Sequence, residues 1–159
     1  MLDMSAIAES SVDAVFSSHN IEHLYPYEVP AALAEFKRVL KPEGFALVTC
    51  PDLQSVAALI ASNKLLEPAY TSPAGPIAPL DILYGLRSAL AAGNHFMAHR
   101  CGFTRDVLIQ VFQHSGFAQC AARQRPPQFD LWALATKQEW PNDQLQAAAA
   151  QYIPGWGTP

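Results

Sequence analysis

His19, Glu22 and His23 crowd into one short run, Ser17-Ser18-His19-Asn20-Ile21-Glu22-His23. An imidazole, with an ordinary pKa of about 6.5, suits proton transfer near neutral pH, so His19 is a candidate base. The hydroxyls of Ser17 and Ser18 and the amide of Asn20 can donate to or accept from a ligand. Equally, Ser17 and Ser18 cap a turn and His19 is merely hydrogen-bonded. His19 to His23 also spells H-x-x-E-H, which on one long helix sets two imidazoles on a common face for zinc. Here an apolar β-like run leads straight into the motif and Pro26 follows it closely, so no such helix is expected, and no metal. His95 and His99 form a second pair, spaced i, i+4, in a loop-like segment between Gly93 and Gly102. The three cysteines, Cys50, Cys101 and Cys120, show no paired spacing, as buried thiols in a reducing compartment would.

The chain that must position these groups has 159 residues, the size of one domain with a proper core. Half of it is apolar and 15% is charged, which favours a packed globular protein over disorder. A net charge of −4 without any basic block argues against a nucleic-acid or anionic-membrane surface. The first residues carry neither a basic region nor an apolar core, so they do not read as a signal peptide, and no apolar run approaches bilayer length.

Val12 to Ser17 reads as a buried strand. Residues 28–40 carry Val29, Leu33, Phe36, Val39 and Leu40 at helical spacing, with Lys41-Pro42 as the stop and Gly44 in the turn. Phe45 to Cys50 is almost wholly apolar, as a central parallel strand should be. Strand, helix, strand makes a βαβ unit. Asp52 is a credible N-cap for a helix over 53–63. The proline-rich stretch 67–79 reads as an ordered loop or lid, and 80–92 as one helix with Leu83, Leu86 and Leu90 on one side. Thr104 is expected to cap a helix that turns Val107, Leu108, Val111 and Phe112 inward and closes at Gly116. Phe117 to Arg123 and Phe129 to Thr136 suggest an antiparallel hairpin turning at Pro126-Pro127. A short helix and a frayed Pro/Gly end finish the chain.

Three blocks carry a resemblance. Val12-Asp13-Ala14-Val15-Phe16-Ser17-Ser18-His19-Asn20-Ile21-Glu22-His23-Leu24 follows a pattern near s-F-D-v-V-f-s-s-h-v-l-E-H-l. Arg38-Val39-Leu40-Lys41-Pro42-Glu43-Gly44 is similar to R-V-L-K-P-G-G, with Glu43 in place of the first glycine. His99, Phe103, Thr104, Leu108, Phe112, Ser115, Gly116 and Phe117 match a later block ending in a-G-F. Together they resemble class I S-adenosylmethionine (SAM)-dependent methyltransferases, of the type 11 family.

The resemblance implies an α/β fold, a partial Rossmann-like sheet made of the family's strands four to seven with flanking helices and a C-terminal antiparallel hairpin. It implies a truncated methyltransferase domain over residues 1–141, followed by a C-terminal helix and tail over 142–159. His19, His23 and His99 are then the candidate catalytic residues. Asp3, Ser17, Ser18 and Asn20 are the candidate cofactor-binding residues, since ligands lie beyond the carboxyl ends of the strands. The family's glycine-rich turn and ribose-binding acid belong upstream of Val12, which only eleven residues precede, so a weak or incomplete SAM site is expected. The expected function is a SAM-dependent methyltransferase, or a fragment of one, acting on a small molecule in the cytoplasm. A non-catalytic binding or assembly module is the alternative. In the family order 3-2-1-4-5-7-6, strand 12–17 would lose its neighbour, so a homo-oligomer is expected through that edge or the adjacent face.

Overall fold

A computed structural model of the protein describes residues 2–157. Its main sheet has the order β1-β2-β6-β5, from β1 (Val12–Ser18), β2 (Leu40–Pro51), β5 (Gln119–Arg125) and β6 (Asp130–Thr136). β1 and β2 are parallel, while β6 runs antiparallel to both β2 and β5. This is the order 4-5-7-6 that the resemblance implies, with β1 at an edge.

Between β1 and β2 lies α1 (Val29–Val39), and it runs into β2 without a loop. The expected stop at Lys41-Pro42 becomes a bulge instead. Val12 pairs with Leu40 and Ala14 already with Phe45, so residues 41–44 are pushed out of the ladder. Gly44 suits that crowded spot, where a β-carbon would come 3.0 Å from the Asp13 carbonyl oxygen.

The apolar run of β2 is explained by burial on both faces. Ala46, Val48 and Cys50 pack with Leu33 and Phe36 of α1 and with Leu108 and Phe112 of α5 (Arg105–His114). Leu47 faces the other way and joins Leu134, Leu145 and Ala149, where α6 (Asn142–Tyr152) closes the opposite face. Val107 of α5 departs from expectation: it is 44% exposed, because Leu108, Val111 and Phe112 suffice to fill the facing groove. The expected frayed end is docked as far as it is described. Ile153 is buried and the Trp156 indole N–H donates to Gln146 Oε1 at 2.9 Å.

Above the sheet, α2 (Leu53–Ala61) starts at Asp52, whose carboxylate accepts from the Gln54 and Ser55 amides, as the N-cap reading requires. The stretch read as a loop holds a small hairpin, β3 (Tyr70–Ser72) with β4 (Gly75–Ile77). Pro76 is tolerated there because the hairpin is isolated and needs few ladder bonds. The single helix expected over 80–92 is two, α3 (Pro79–Tyr84) and α4 (Arg87–Ala91). Gly85 breaks it with φ +98, and a β-carbon there would meet the Met97 carbonyl oxygen at 2.0 Å. Val56, Ile77 and Ile82 tie α2, the hairpin and α3 into one apolar cap. Among the described residues no helix is long and apolar enough to cross a membrane.

Candidate functional site

The carboxyl end of β1 builds the site. His19 N–H donates to Thr49 O at 2.9 Å, the last bond along the β1–β2 pairing, and His19 then turns left-handed at φ +49. A non-glycine residue held there costs roughly 1–3 kcal/mol and signals a position fixed by its surroundings. A single 3₁₀ turn follows over Ile21–His23. Ile21 is anchored in the core, which draws the Glu22 carboxylate in with it until Glu22 is 1% exposed.

The segment 98–103 clamps this turn from above. The amides of Arg100 and Cys101 both donate to Glu22 O, at 2.8 and 3.2 Å, and the Arg100 guanidinium reaches His23 O at 2.9 Å. The Cys101 thiol donates to Ile21 O. The clamp brings His99 beside His23, their rings edge to face with centroids 4.9 Å apart. Three residues read as catalytic from the sequence, His19, His23 and His99, thus gather around one buried carboxylate. His19 Nδ1 stands 3.3 Å from Glu22 Oε1, and the ligating atoms of Glu22, His23 and His99 lie within 4.8 Å of one another. Contact with Glu22 raises the His19 pKa above its ordinary 6.5, against an opposing effect of burial. Burial lowers that of His99.

These groups line a cavity of about 750 Å³. Its far walls come from the hairpin, from α3 and from the β5–β6 turn, where Tyr70 stacks on Phe129 with centroids 6.1 Å apart. Two ion pairs stiffen the rim. Arg87 makes a two-pronged contact with Asp81, and Arg125 with Asp130. None of these four residues stood out in the sequence. Asp81 carried one signal, its place three residues into a proline-started helix, where its Oδ2 accepts the Ala78 amide at 3.0 Å.

The four residues read as cofactor-binding are not gathered in the same way. Asn20 lines the cavity, and its amide donates to Ser18 O at 3.0 Å. Ser18 Oγ is bonded to Thr49 Oγ1 at 3.1 Å. Ser17 is buried, with no hydrogen-bond partner for its hydroxyl among the described residues. Asp3 stands apart from the cavity, accepting the Ser5 amide close to where the Met4 amide meets Glu35 of α1. His95 sits in an exposed 3₁₀ turn whose Phe96 and Met97 line the cavity, but it is not itself a lining residue. The cysteines are unpaired, and burial pushes the thiols of Cys101 and Cys120 up to about 11 and about 12.

Comparison with known proteins bears on the sequence pattern and the fold. Residues 1–48 match the family model described as a methyltransferase domain, type 11, which takes in the first two sequence blocks but not the third. No curated protein sequence matches the chain. A SAM-dependent methyltransferase from Thermotoga maritima superposes with a TM-score of 0.53 at 14% identity, over 86% of this chain and 60% of its own. One from Methanosarcina mazei gives 0.53 at 15% identity, over 87% and 65%. An O-methyltransferase family protein from Burkholderia thailandensis gives 0.53 at 10%, over 88% and 34%. The chain therefore spans less than two thirds of the length of each. Residues 1–48 thus carry the sequence pattern of the type 11 methyltransferase domain, and the chain as a whole shares the fold of these SAM-dependent methyltransferases.

Proposed function

We propose that the chain carries the acceptor side of a SAM-dependent methyltransferase for small molecules. The cavity at the carboxyl end of β1, with His19 held against buried Glu22 in its wall, is the observation that supports this reading. Ligands of doubly wound sheets lie at that end of the strands. The aromatic and apolar walls and the modest volume suit a small organic acceptor. The net charge of −4 favours such a substrate over a nucleic acid. Unpaired thiols support a reducing, cytoplasmic location.

The residues present fit an acceptor better than the cofactor. A cradle for the charged end of SAM needs backbone amides at a strand-to-helix turn. The left-handed glycines of the described residues sit elsewhere: Gly75 in the hairpin, Gly85, Gly93 and Gly116 just after helices, and Gly155 and Gly157 in the turns beyond α6. Helix ends present carbonyls, not amides. The chain's own contribution is to hold the acceptor and to take its proton. Glu22 beside the imidazole makes His19 a stronger base than a free histidine and stabilises the imidazolium once a proton arrives.

The test is a labelled-methyl assay at millimolar SAM over a panel of small hydroxyl, amine and carboxyl compounds, with calorimetric titration of S-adenosylhomocysteine alongside. Methylated product together with a dissociation constant near millimolar supports the reading. Micromolar binding would show a complete cofactor site in this chain. Binding of panel compounds without methylation would instead show a non-catalytic module. A homo-oligomer through β1 belongs to the same proposal.

A further inference from the structure

We propose that Glu22, His23 and His99 form a binding site for one divalent first-row transition ion. The ligating atoms already lie within 4.8 Å of one another. On zinc, with bonds of about 2.0–2.2 Å, they would sit roughly 3.3 Å apart, so each side chain closes in by less than ~1 Å.

Three observations point to an ion and not to a chance cluster. The first is the orientation of the imidazoles. His23 Nδ1 lies 3.1 Å from Ala98 O and His99 Nδ1 lies 2.8 Å from Ile82 O. A carbonyl oxygen only accepts, so each Nδ1 carries a proton, and in the neutral ring Nε2 is then the nitrogen with the lone pair that a metal takes. A backbone carbonyl behind the ring is the usual outer shell of a metal-binding histidine.

The second is Glu22. Its carboxylate is 1% exposed, and neither oxygen receives a well-formed hydrogen bond from the described residues. A buried carboxylate left so is costly unless a charge compensates it. His19 Nδ1, 3.3 Å from Oε1, contributes in part and leaves Oε2 for an ion. The third is rigidity: the ligand turn and the 98–103 segment are bonded to each other through Glu22 O, Ile21 O and His23 O. Two imidazoles and one carboxylate with positions open to a cavity match zinc, iron(II) or cobalt(II) better than magnesium.

The H-x-x-E-H spacing gave no reason to expect a metal, because the chain forms no long helix there. The fold dispenses with that helix. It keeps Glu22 and His23, leaves His19 behind the carboxylate, and supplies the third ligand from His99. The inference does not depend on methyl transfer.

The experiment is calorimetric titration of zinc into the chelator-treated full chain, with cobalt(II) absorption as a second readout. One ion per chain at a dissociation constant of about a micromolar or below is expected. Glu22→Gln and His99→Ala should each weaken it at least ~10-fold, with the circular-dichroism spectrum unchanged. Millimolar magnesium should leave the isotherm in place. Should either variant unfold, the wild-type spectrum decides: visible cobalt d–d bands that zinc abolishes support the site, and their absence overturns it. Lack of saturable zinc binding, binding undiminished in the folded variants, or displacement by magnesium overturns it as well.

Discussion

His19 and Glu22 face each other at 3.3 Å across an unequal boundary, the imidazole side chain 50% exposed and the carboxylate side chain 1%. The buried partner bears most of the desolvation. In metal-free protein Glu22→Gln should therefore be neutral or stabilising by about 1 kcal/mol in urea denaturation, since it removes a buried charge and strands none. It should also lower the His19 pKa, read by NMR titration. A raised histidine pKa contributes stability that is complete below 6.5 and lost as pH climbs through the folded value, so that slope should vanish in the variant. A loss above ~2 kcal/mol would show that Glu22 is a net stabilising group.

Gly85→Ala attacks the cap. The residue has φ +98, and its β-carbon would overlap the Met97 carbonyl oxygen, an atom of the backbone. Relief requires the 94–99 segment to move, and with it His99, whose amide bonds Tyr84 O at 3.2 Å. We expect a loss of at least ~2 kcal/mol in the denaturant midpoint, together with weaker zinc binding. A wild-type midpoint would contradict this.

The rim pair gives a pH signature of its own. The Arg87 guanidinium holds the Asp81 carboxyl down at about 2, against an ordinary 3.8. A depressed carboxylate contributes stability that is present above its unfolded value and lost as pH falls through the folded one. Stability should thus drop between about pH 4 and 2, by on the order of 1 kcal/mol given screening at half-exposed Arg87. Asp81→Asn should flatten that part of the acid-denaturation curve.

Much of this fold was legible because local rules and burial agree. The apolar run Phe45 to Cys50, the Asp52 cap and the closing hairpin follow from residues a few positions apart. What escaped depends on long-range contact. The break at Gly85 is imposed by Met97, and the exposure of Val107 by how the sheet fills. At the site, His19 and His23 were visible as a motif, but Glu22 became central only through burial beside His99, which lies far along the chain. The cofactor assignments to Asp3, Ser17, Ser18 and Asn20 came from resemblance, and among the described residues only Asn20 lines the cavity.

The β1 edge bears on assembly. Phe16 is 63% exposed there, stacked on Trp132 at 6.4 Å, and no strand pairs with the outer side of β1 among the described residues. An open apolar edge invites pairing with another chain. Light scattering should report a dimer or higher oligomer, and Phe16→Lys should shift it toward monomer. A stable wild-type monomer at high concentration would contradict the proposal.

The most direct test of the proposed function is His19→Ala in the labelled-methyl assay, with stability measured in parallel. His19 stands at a strand end outside the core but is the partial partner of buried Glu22, so stability in urea should fall by about 1 kcal/mol with the chain still folded. Methyl transfer to the responsive acceptor should fall by about 10²-fold or more, as for the loss of a general base. Unchanged turnover, or a loss of folding that accounts for all the lost activity, would contradict the account.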